Sequence, residues 1–349
     1  MDIRSILKVA SEKKASDLHI TENSAPVIRI DGRLVPLADF RKLTKEDCKR
    51  LVYSILSDKQ KAIFERDLEL DFSLEIPGLN RFRVNVHMQR GSVEAAFRMV
   101  SLHIKTIGDL GLPPICIDLS RKRQGLVLIT GPTGVGKTTT LAAMVDLINN
   151  ERQAIIISVE DPIEYVHTNK YCIIKQREVH SDTRSFASAL VHALRQDSNV
   201  IVVGEMRDLE TISTVLTAAE TGHLVMATLH TPDASQTIDR IIDVFPPYQQ
   251  QQVKIQLSGT LQGVISQQLL PRKDRPGRVL ATEVMVATSA VRNLIREQGT
   301  EQILTHIQTG LQYGMHTMDK SLKTLYQRGI ISENVFKSHI KNPDEVRHL

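Results

Sequence analysis

A chain of 349 residues has room for two domains of ordinary size, each with its own core. Hydrophobic residues make up 41% and charged residues 24%, the balance of a soluble globular protein. The formal net charge of +4 is too mild to mark a nucleic-acid binder, and the densest basic stretch is only Arg121-Lys122-Arg123. Cys48, Cys116 and Cys172 lie far apart with no C-x-x-C spacing, which speaks against a zinc module or a disulfide framework and fits a reducing cytoplasm. The opening MDIRSILKVASEKK lacks the apolar core of a signal peptide. No apolar stretch approaches the roughly 18 residues of a membrane span.

In chain order, residues 1–100 read as a small α/β domain. Ile3, Ile6, Leu7 and Ala10 share one helical face. Short strands follow at Asp17 to Ile20 and Pro26 to Ile30, the second closed by an Asp31-Gly32 turn. Thr44 to Leu56 reads as a helix, with Thr44 as N-cap and Asp47 as its acidic partner three residues on. Strand alternation returns at Leu70-Phe72-Leu74-Ile76 and Phe82-Val84-Val86-Met88, then at Ser92 to Val100. Arg81, Arg83, Asn85 and His87 occupy the opposite face, so one side of this sheet is polar and arginine-rich. Residues 101–114, with Gly108, Gly111, Pro113 and Pro114, read as an inter-domain hinge. Beyond them, apolar strand candidates at 125–130, 154–160, 199–203, 223–229, 262–270 and 278–286 alternate with helices. That is the pattern of a mainly parallel sheet covered on both faces, over residues 115–288. Residues 289–349 read as a helical region, with small breaks at Gly299, Gly310, Gly314 and Gly329.

The phosphate-binding pattern G-x-x-x-x-G-K-T stands at Gly131, Pro132, Thr133, Gly134, Val135, Gly136, Lys137 and Thr138, followed by Thr139. The strand Leu126-Val127-Leu128-Ile129 feeds into it and a helical pattern leaves it, the context that makes the pattern a nucleotide site. The glycines let backbone N–H groups turn toward phosphates, and the helix N-terminus adds partial positive charge. Lys137 is expected to reach the β- and γ-phosphates of ATP, and the Thr138 hydroxyl to ligate Mg²⁺.

Further segments fit work near that nucleotide. Ser158 to Glu164 follows a core strand, where acids sit on the ligand side of such sheets. Val200-Ile201-Val202-Val203-Gly204-Glu205 resembles a Walker B strand, with Gly204 where the usual aspartate would stand. Metal and water duty would then fall on Glu205 and Glu164, Glu205 holding Mg²⁺ through water. The strand from His223 to Thr231 carries a histidine at each end, and His230 sits where a γ-phosphate sensor belongs. The arginines are Arg81, Arg83 and Arg98 in the first domain, then Arg195, Arg207 and Arg240; His223 and Arg240 are expected among the nucleotide contacts.

Together these residues resemble the secretion-type ATPase superfamily, which includes hexameric motors of type IV pili and type II secretion. GPTGVGKTT looks like its Walker A, Val159 to Glu164 (VEDPIE) its aspartate box, Val203 to Asp208 (VGEMRD) its Walker B, and Thr221 to Thr231 (TGHLVMATLHT) its histidine box; the likeness begins at Ala15 to Ile20 (ASDLHI). It is closest to the pilus retraction motors. Ala290-Val291-Arg292-Asn293-Leu294-Ile295 is similar to their A-I-R-N-L-I signature, Thr237 to Pro246 points the same way, and the assembly motors' long N-terminal module and four-cysteine zinc motif are missing. The resemblance implies a RecA-like P-loop core, a small PAS-like α/β domain before it and a helical tail after it. It also implies a cytoplasmic homohexamer at the inner membrane, working with a platform protein and the pilus machinery. In that scheme Glu164 handles the attacking water, Glu205 supports Mg²⁺, His230 senses the γ-phosphate, and Arg81, Arg83 and Arg98 swing onto the nucleotide. Lys137→Ala is expected to abolish ATP use, Glu205→Ala to spare binding but stop turnover, and Arg292→Ala to spare the ATPase while breaking retraction. Rival readings are an assembly or secretion motor, a RecA-like nucleic-acid translocase, and a nucleotide-sensing module without activity.

Overall fold

The computed structural model describes residues 1–30, 32–100, 104–297 and 299–342. Two compact units emerge. One holds residues 1–100 with Pro162–Val166, and the other holds the described residues from Ile104 to Asp161 and from His167 onward.

The first unit is a six-stranded antiparallel sheet in the order β3-β2-β1-β6-β5-β4. The strands are β1 (Asp17–Ile20), β2 (Val27–Ile30), β3 (Arg33–Pro36), β4 (Glu69–Ile76), β5 (Asn80–Gln89) and β6 (Ser92–Val100). Helix Ile3–Glu12 buries the expected face of Ile3, Ile6, Leu7 and Ala10. Helix Lys45–Tyr53 starts at a complete capping box between Thr44 and Asp47, so two otherwise unpaired backbone donors are satisfied at its first turn. Phe82, Val84, Val86 and Phe97 are buried in the same core as these helices. The polar face carries one lateral row in register, Ser73, Arg83, Arg98, Asp17 and Arg29. Within it Arg98 Nε lies 3.0 Å and Arg29 Nε 3.6 Å from the Asp17 carboxylate. Strand β3 is exposed at every position, and helix Asp58–Asp67 buries only Phe64, so neither carries the periodicity that would announce it in the sequence.

The second unit is a seven-stranded sheet in the order β13-β12-β7-β11-β10-β8-β9. Its strands are β7 (Gly125–Thr130), β8 (Ile155–Glu160), β9 (Ile173–Glu178), β10 (Val200–Val203), β11 (Leu224–Leu229), β12 (Leu261–Pro271) and β13 (Arg278–Val286). All pairings are parallel except the β12–β13 hairpin. Leu126 and Leu128 of β7 enter one core and Val127 and Ile129 another, which is why this strand is apolar at successive positions. β9 closes one edge with Lys175, Gln176 and Arg177, a polar strand that the apolar pattern does not reveal.

Two expectations about boundaries need correction. The hinge was expected over 101–114; residues 101–103 lie outside the described residues, but Ile107 and Leu112 are each 6% exposed within the second unit's core. The segment from Ile104 onward therefore belongs to that unit. The tail is helical with its breaks at the expected glycines, but it is not separate from the core. Its α-helices are Ser289–Glu297, Ile303–Thr309, Met318–Gln327 and Glu333–His339, and His316 between them pairs with Val284 of β13. Val291, Ile295, Ile303, Ile307 and Met315 join the main core. At the far end, the Lys341 and Asn342 N–H groups donate to Asp319, each at 2.9 Å, and Lys341 Nζ lies 2.6 Å from Asp233.

Arg292 is committed inside the chain. Its Nε donates to Ala287 O at 3.0 Å and its Nη1 to Ser258 O and to Gly259 O, so it closes the C-terminal end of helix Pro247–Thr260. Burial lowers its pKa, since the charge sits partly out of water, with Arg296 adding repulsion. Arg292→Ala should strip these carbonyls of their donor and cost about 1–3 kcal/mol. A fall in thermal midpoint, partly recovered in Arg292→Lys, checks this; an unchanged midpoint would restore the expectation of a purely partner-directed arginine.

Candidate nucleotide site

Parallel pairing brings the C-terminal ends of four strands to one edge. Thr130 of β7 stands beside Leu229 of β11, Val203 of β10 beside Ala227 of β11, and Val203 again beside Val159 of β8. Because β11 lies between β7 and β10, the residue after β11, His230, falls between the phosphate loop and Glu205. The site is built from that order.

The loop itself is held tightly at its start. Gly131 has φ +134°, and a Cβ there would lie 2.4 Å from Gln267 O of β12, so only glycine fits. Gly136, at φ 91° and ψ 24°, is the left-handed N-cap of helix Lys137–Glu151 and supplies no side-chain cap, the arrangement that leaves leading N–H groups to an anion. Pro132, Thr133 and Gly134 are exposed, Val135 is buried, and Thr138 and Thr139 are half-buried on the first helical turn. Below the loop, Thr130 Oγ1 donates to Ser266 Oγ at 2.8 Å and Gln267 Nε2 to Thr140 Oγ1 at 2.7 Å.

Lys137 is only 8% exposed. Its Nζ donates to Gly131 O at 2.7 Å and Pro132 O at 3.1 Å, folding the ammonium back over the loop. His230 Nδ1 lies 3.4 Å from both Lys137 Nζ and Thr133 Oγ1. His230 Nε2 lies 2.9 Å from Glu205 Oε1. The partners assign the tautomer: Nε2 carries the proton toward the carboxylate, and Nδ1 turns its lone pair to the lysine. Glu205 Oε2 is 2.7 Å from Arg207 Nη2. Burial alone would raise the Glu205 pKa, but the hydrogen bonds and positive charge of Arg207, together with His230, outweigh it and hold the carboxyl below its usual range. Lysine, histidine, glutamate and arginine thus form one chain of contacts from loop to strand end.

The absent Walker B aspartate has a packing cause. A Cβ on Gly204 would lie 3.3 Å from both Glu160 Cα and Val159 O of β8. The Gly204 N–H donates to Val159 O at 2.8 Å, so the backbone cannot back away without losing that bond. Next to it, Glu160 is 8% exposed, 2.5 Å from Ser158 Oγ and 3.0 Å from Gln176 Nε2, a buried carboxylate that sequence reasoning passed over in favour of Glu164.

Not every expected residue joins this cluster. His223 precedes β11, at the end of the sheet opposite the loop, and its Nδ1 lies 3.1 Å from Ala218 O and 3.3 Å from Thr221 Oγ1. It is therefore not part of this chain's own loop cluster. Arg240 is exposed on helix Ala234–Asp243 and makes no hydrogen bond or ion pair among the described residues. Glu164, exposed, lies in the segment grouped with the first unit, as do Arg81, Arg83 and Arg98; Arg81 Nη1 is 3.7 Å from Glu75. Arg207, named in the sequence without a role, is the arginine that touches Glu205.

With this geometry in place, comparison with known proteins is informative. The family model described as type II/IV secretion system protein matches residues 1–338. The type IV pilus retraction ATPase PilT of Pseudomonas aeruginosa is 48% identical over 344 residues, 99% of each chain. The twitching motility protein of Neisseria gonorrhoeae is 45% identical over 321 residues, 92% of this chain and 86% of that one. A solved structure of the pilus retraction motor PilT with bound ADP superimposes with a TM-score of 0.94 at 48% identity, covering both chains fully. The chain belongs to the type II/IV secretion system protein family. Within that family it is an ATPase, with the mixed α/β fold and parallel sheet of the retraction motors.

Placing the usual aspartate at Gly204 should harm rather than help. Gly204→Asp should force β8 away from β10, costing about 1–3 kcal/mol by overpacking, and reduce ATP turnover. Thermal melting and an ATPase assay together check it; higher turnover would show that the glycine is a deficit rather than a packing requirement.

Proposed function

We propose that this chain assembles as a homohexamer whose ATP turnover drives type IV pilus retraction and twitching motility at the cytoplasmic face of the inner membrane. It is a pilus retraction ATPase by its full-length agreement with such ATPases. The observation that carries the reaction is the contact chain from Lys137 through His230 to Glu205 at the strand ends. ATP phosphates are held by Gly131 to Thr139, with Lys137 leaving neutral carbonyls for a charged oxygen, a stronger partner. The first-turn Thr138 hydroxyl and, through water, Glu205 fit a Mg²⁺ ion, which would neutralise charge building on the phosphates. His230 reports the γ-phosphate to Glu205, and Glu164 orients the attacking water. Arg81, Arg83 and Arg98 supply positive charge to a nucleotide, an effect worth about 10³–10⁵ in turnover where it has been measured in other NTPases. Loss of the γ-phosphate then changes how the two units are held, and an inner-membrane platform protein converts that change into pilus disassembly. Among the described residues no helix is long and apolar enough to cross a membrane.

Cells lacking the gene should carry abundant surface pili and lose surface motility. Bald cells would make the chain an assembly motor, and an unchanged count would make it an accessory ATPase.

A further inference from the structure

Glu205 has two carboxylate oxygens, and each has its own partner. Oε1 receives His230 Nε2 at 2.9 Å and Oε2 faces Arg207 Nη2 at 2.7 Å. The two partners are held differently. His230 is tied to the phosphate loop through Lys137 and Thr133. Arg207 has a pinned base and an exposed tip. The backbone before it is fixed by the Met206 N–H, which donates to Thr228 O at 3.1 Å. The backbone after it is fixed by Asp208, whose carboxylate caps helix Leu209–Glu220 and accepts from Thr211 N at 2.8 Å. The side chain itself is 73% exposed, and its guanidinium also feels the charge of Asp161 in the acidic turn after β8.

An exposed ion pair of this kind adds little to fold stability. Its geometric effect is larger. The last torsion of a glutamate is broad, so a carboxylate held at one oxygen alone can rotate. Held at both, it is fixed in plane, and its Oε1 edge stays on His230. We infer that Arg207 is a positioning residue for ATP hydrolysis, acting through Glu205: it fixes the carboxylate so that the His230 side faces the phosphate loop. The inference rests on the reading that Glu205 takes part in turnover.

The test is steady-state and single-turnover ATPase kinetics on the full-length assembled protein, for Arg207→Ala, Arg207→Lys, Glu205→Ala and the Arg207→Ala/Glu205→Ala double variant. Arg207→Ala should lower kcat by about 10- to 100-fold, the scale of a misplaced reacting group, with KM for ATP changed less than twofold. Its thermal midpoint should match the parent protein. Arg207→Lys, and added guanidinium at concentrations that do not denature, should restore part of kcat to the assembly. Read on the residual single-turnover rate of Glu205→Ala, the arginine change should cost nothing further, because partners acting as a unit are not additive. Wild-type kcat in Arg207→Ala, or a raised KM with unchanged kcat, would overturn the inference, the second by making Arg207 a direct nucleotide contact. Equal further loss in the double variant would overturn it too, by showing that Arg207 acts independently of Glu205. Wild-type turnover in Glu205→Ala would instead remove Glu205 from the reaction, a separate failure read from that variant alone.

Discussion

The site depends on strand register. Four parallel strands, β7, β11, β10 and β8, must end at the same level for the phosphate loop, His230, Glu205 and the acidic turn to share one edge. A slip of one residue in any of them would turn its side chains to the opposite face and carry its terminal residue out of reach. The register is enforced from both sides, since alternate residues of β7 enter separate cores and no face is free to face water. Gly204 is part of the same constraint: it lets β10 run close against β8 at the level where Glu205 follows. Stability and chemistry are therefore set by the same packing.

Lys137 shows how the electrostatics are handled. A buried ammonium is costly unless it is well partnered. Among its partners are two loop carbonyls and the Nδ1 lone pair of His230, none of them a carboxylate. The charged acceptor nearest in the chain of contacts, Glu205, is kept one residue away behind His230 and is neutralised by Arg207. Were the carboxylate to reach the lysine directly, a phosphate would have to break an ion pair to enter. The imidazole acts as a spacer that keeps the lysine available.

Much of this was legible in the sequence, for physical reasons that differ by element. Interior parallel strands such as β7, β8, β10 and β11 are apolar on both faces and stand out as short runs, and the loop glycines mark backbone conformations that other residues cannot adopt. The edge strands β3 and β9 are polar or exposed and carry no comparable signal. Strand order was the main gap. Glu205 and His230 are far apart in sequence; the parallel β10–β11 pairing makes them neighbours, and the place of β11 beside β7 brings His230 to the loop. For the same reason His223 and His230, alike in the sequence as strand ends, separate completely: one faces the loop and the other the far edge of the sheet. The tail misled by composition, because its helical periodicity gives no hint that Val291, Ile295 and Ile303 complete the main core or that Arg292 closes another helix.

Lys341, near the last described residue, is wired into the same region. Asp233 stands three residues after His230, caps helix Ala234–Asp243 through Gln236 N, and is the acceptor for Lys341. The C-terminus is for that reason a poor place for a handle. A fluorescent reporter, an affinity tag or a protease trimming that disturbs Lys341 would tug on the turn that follows His230, and so alter the motor it was meant only to observe.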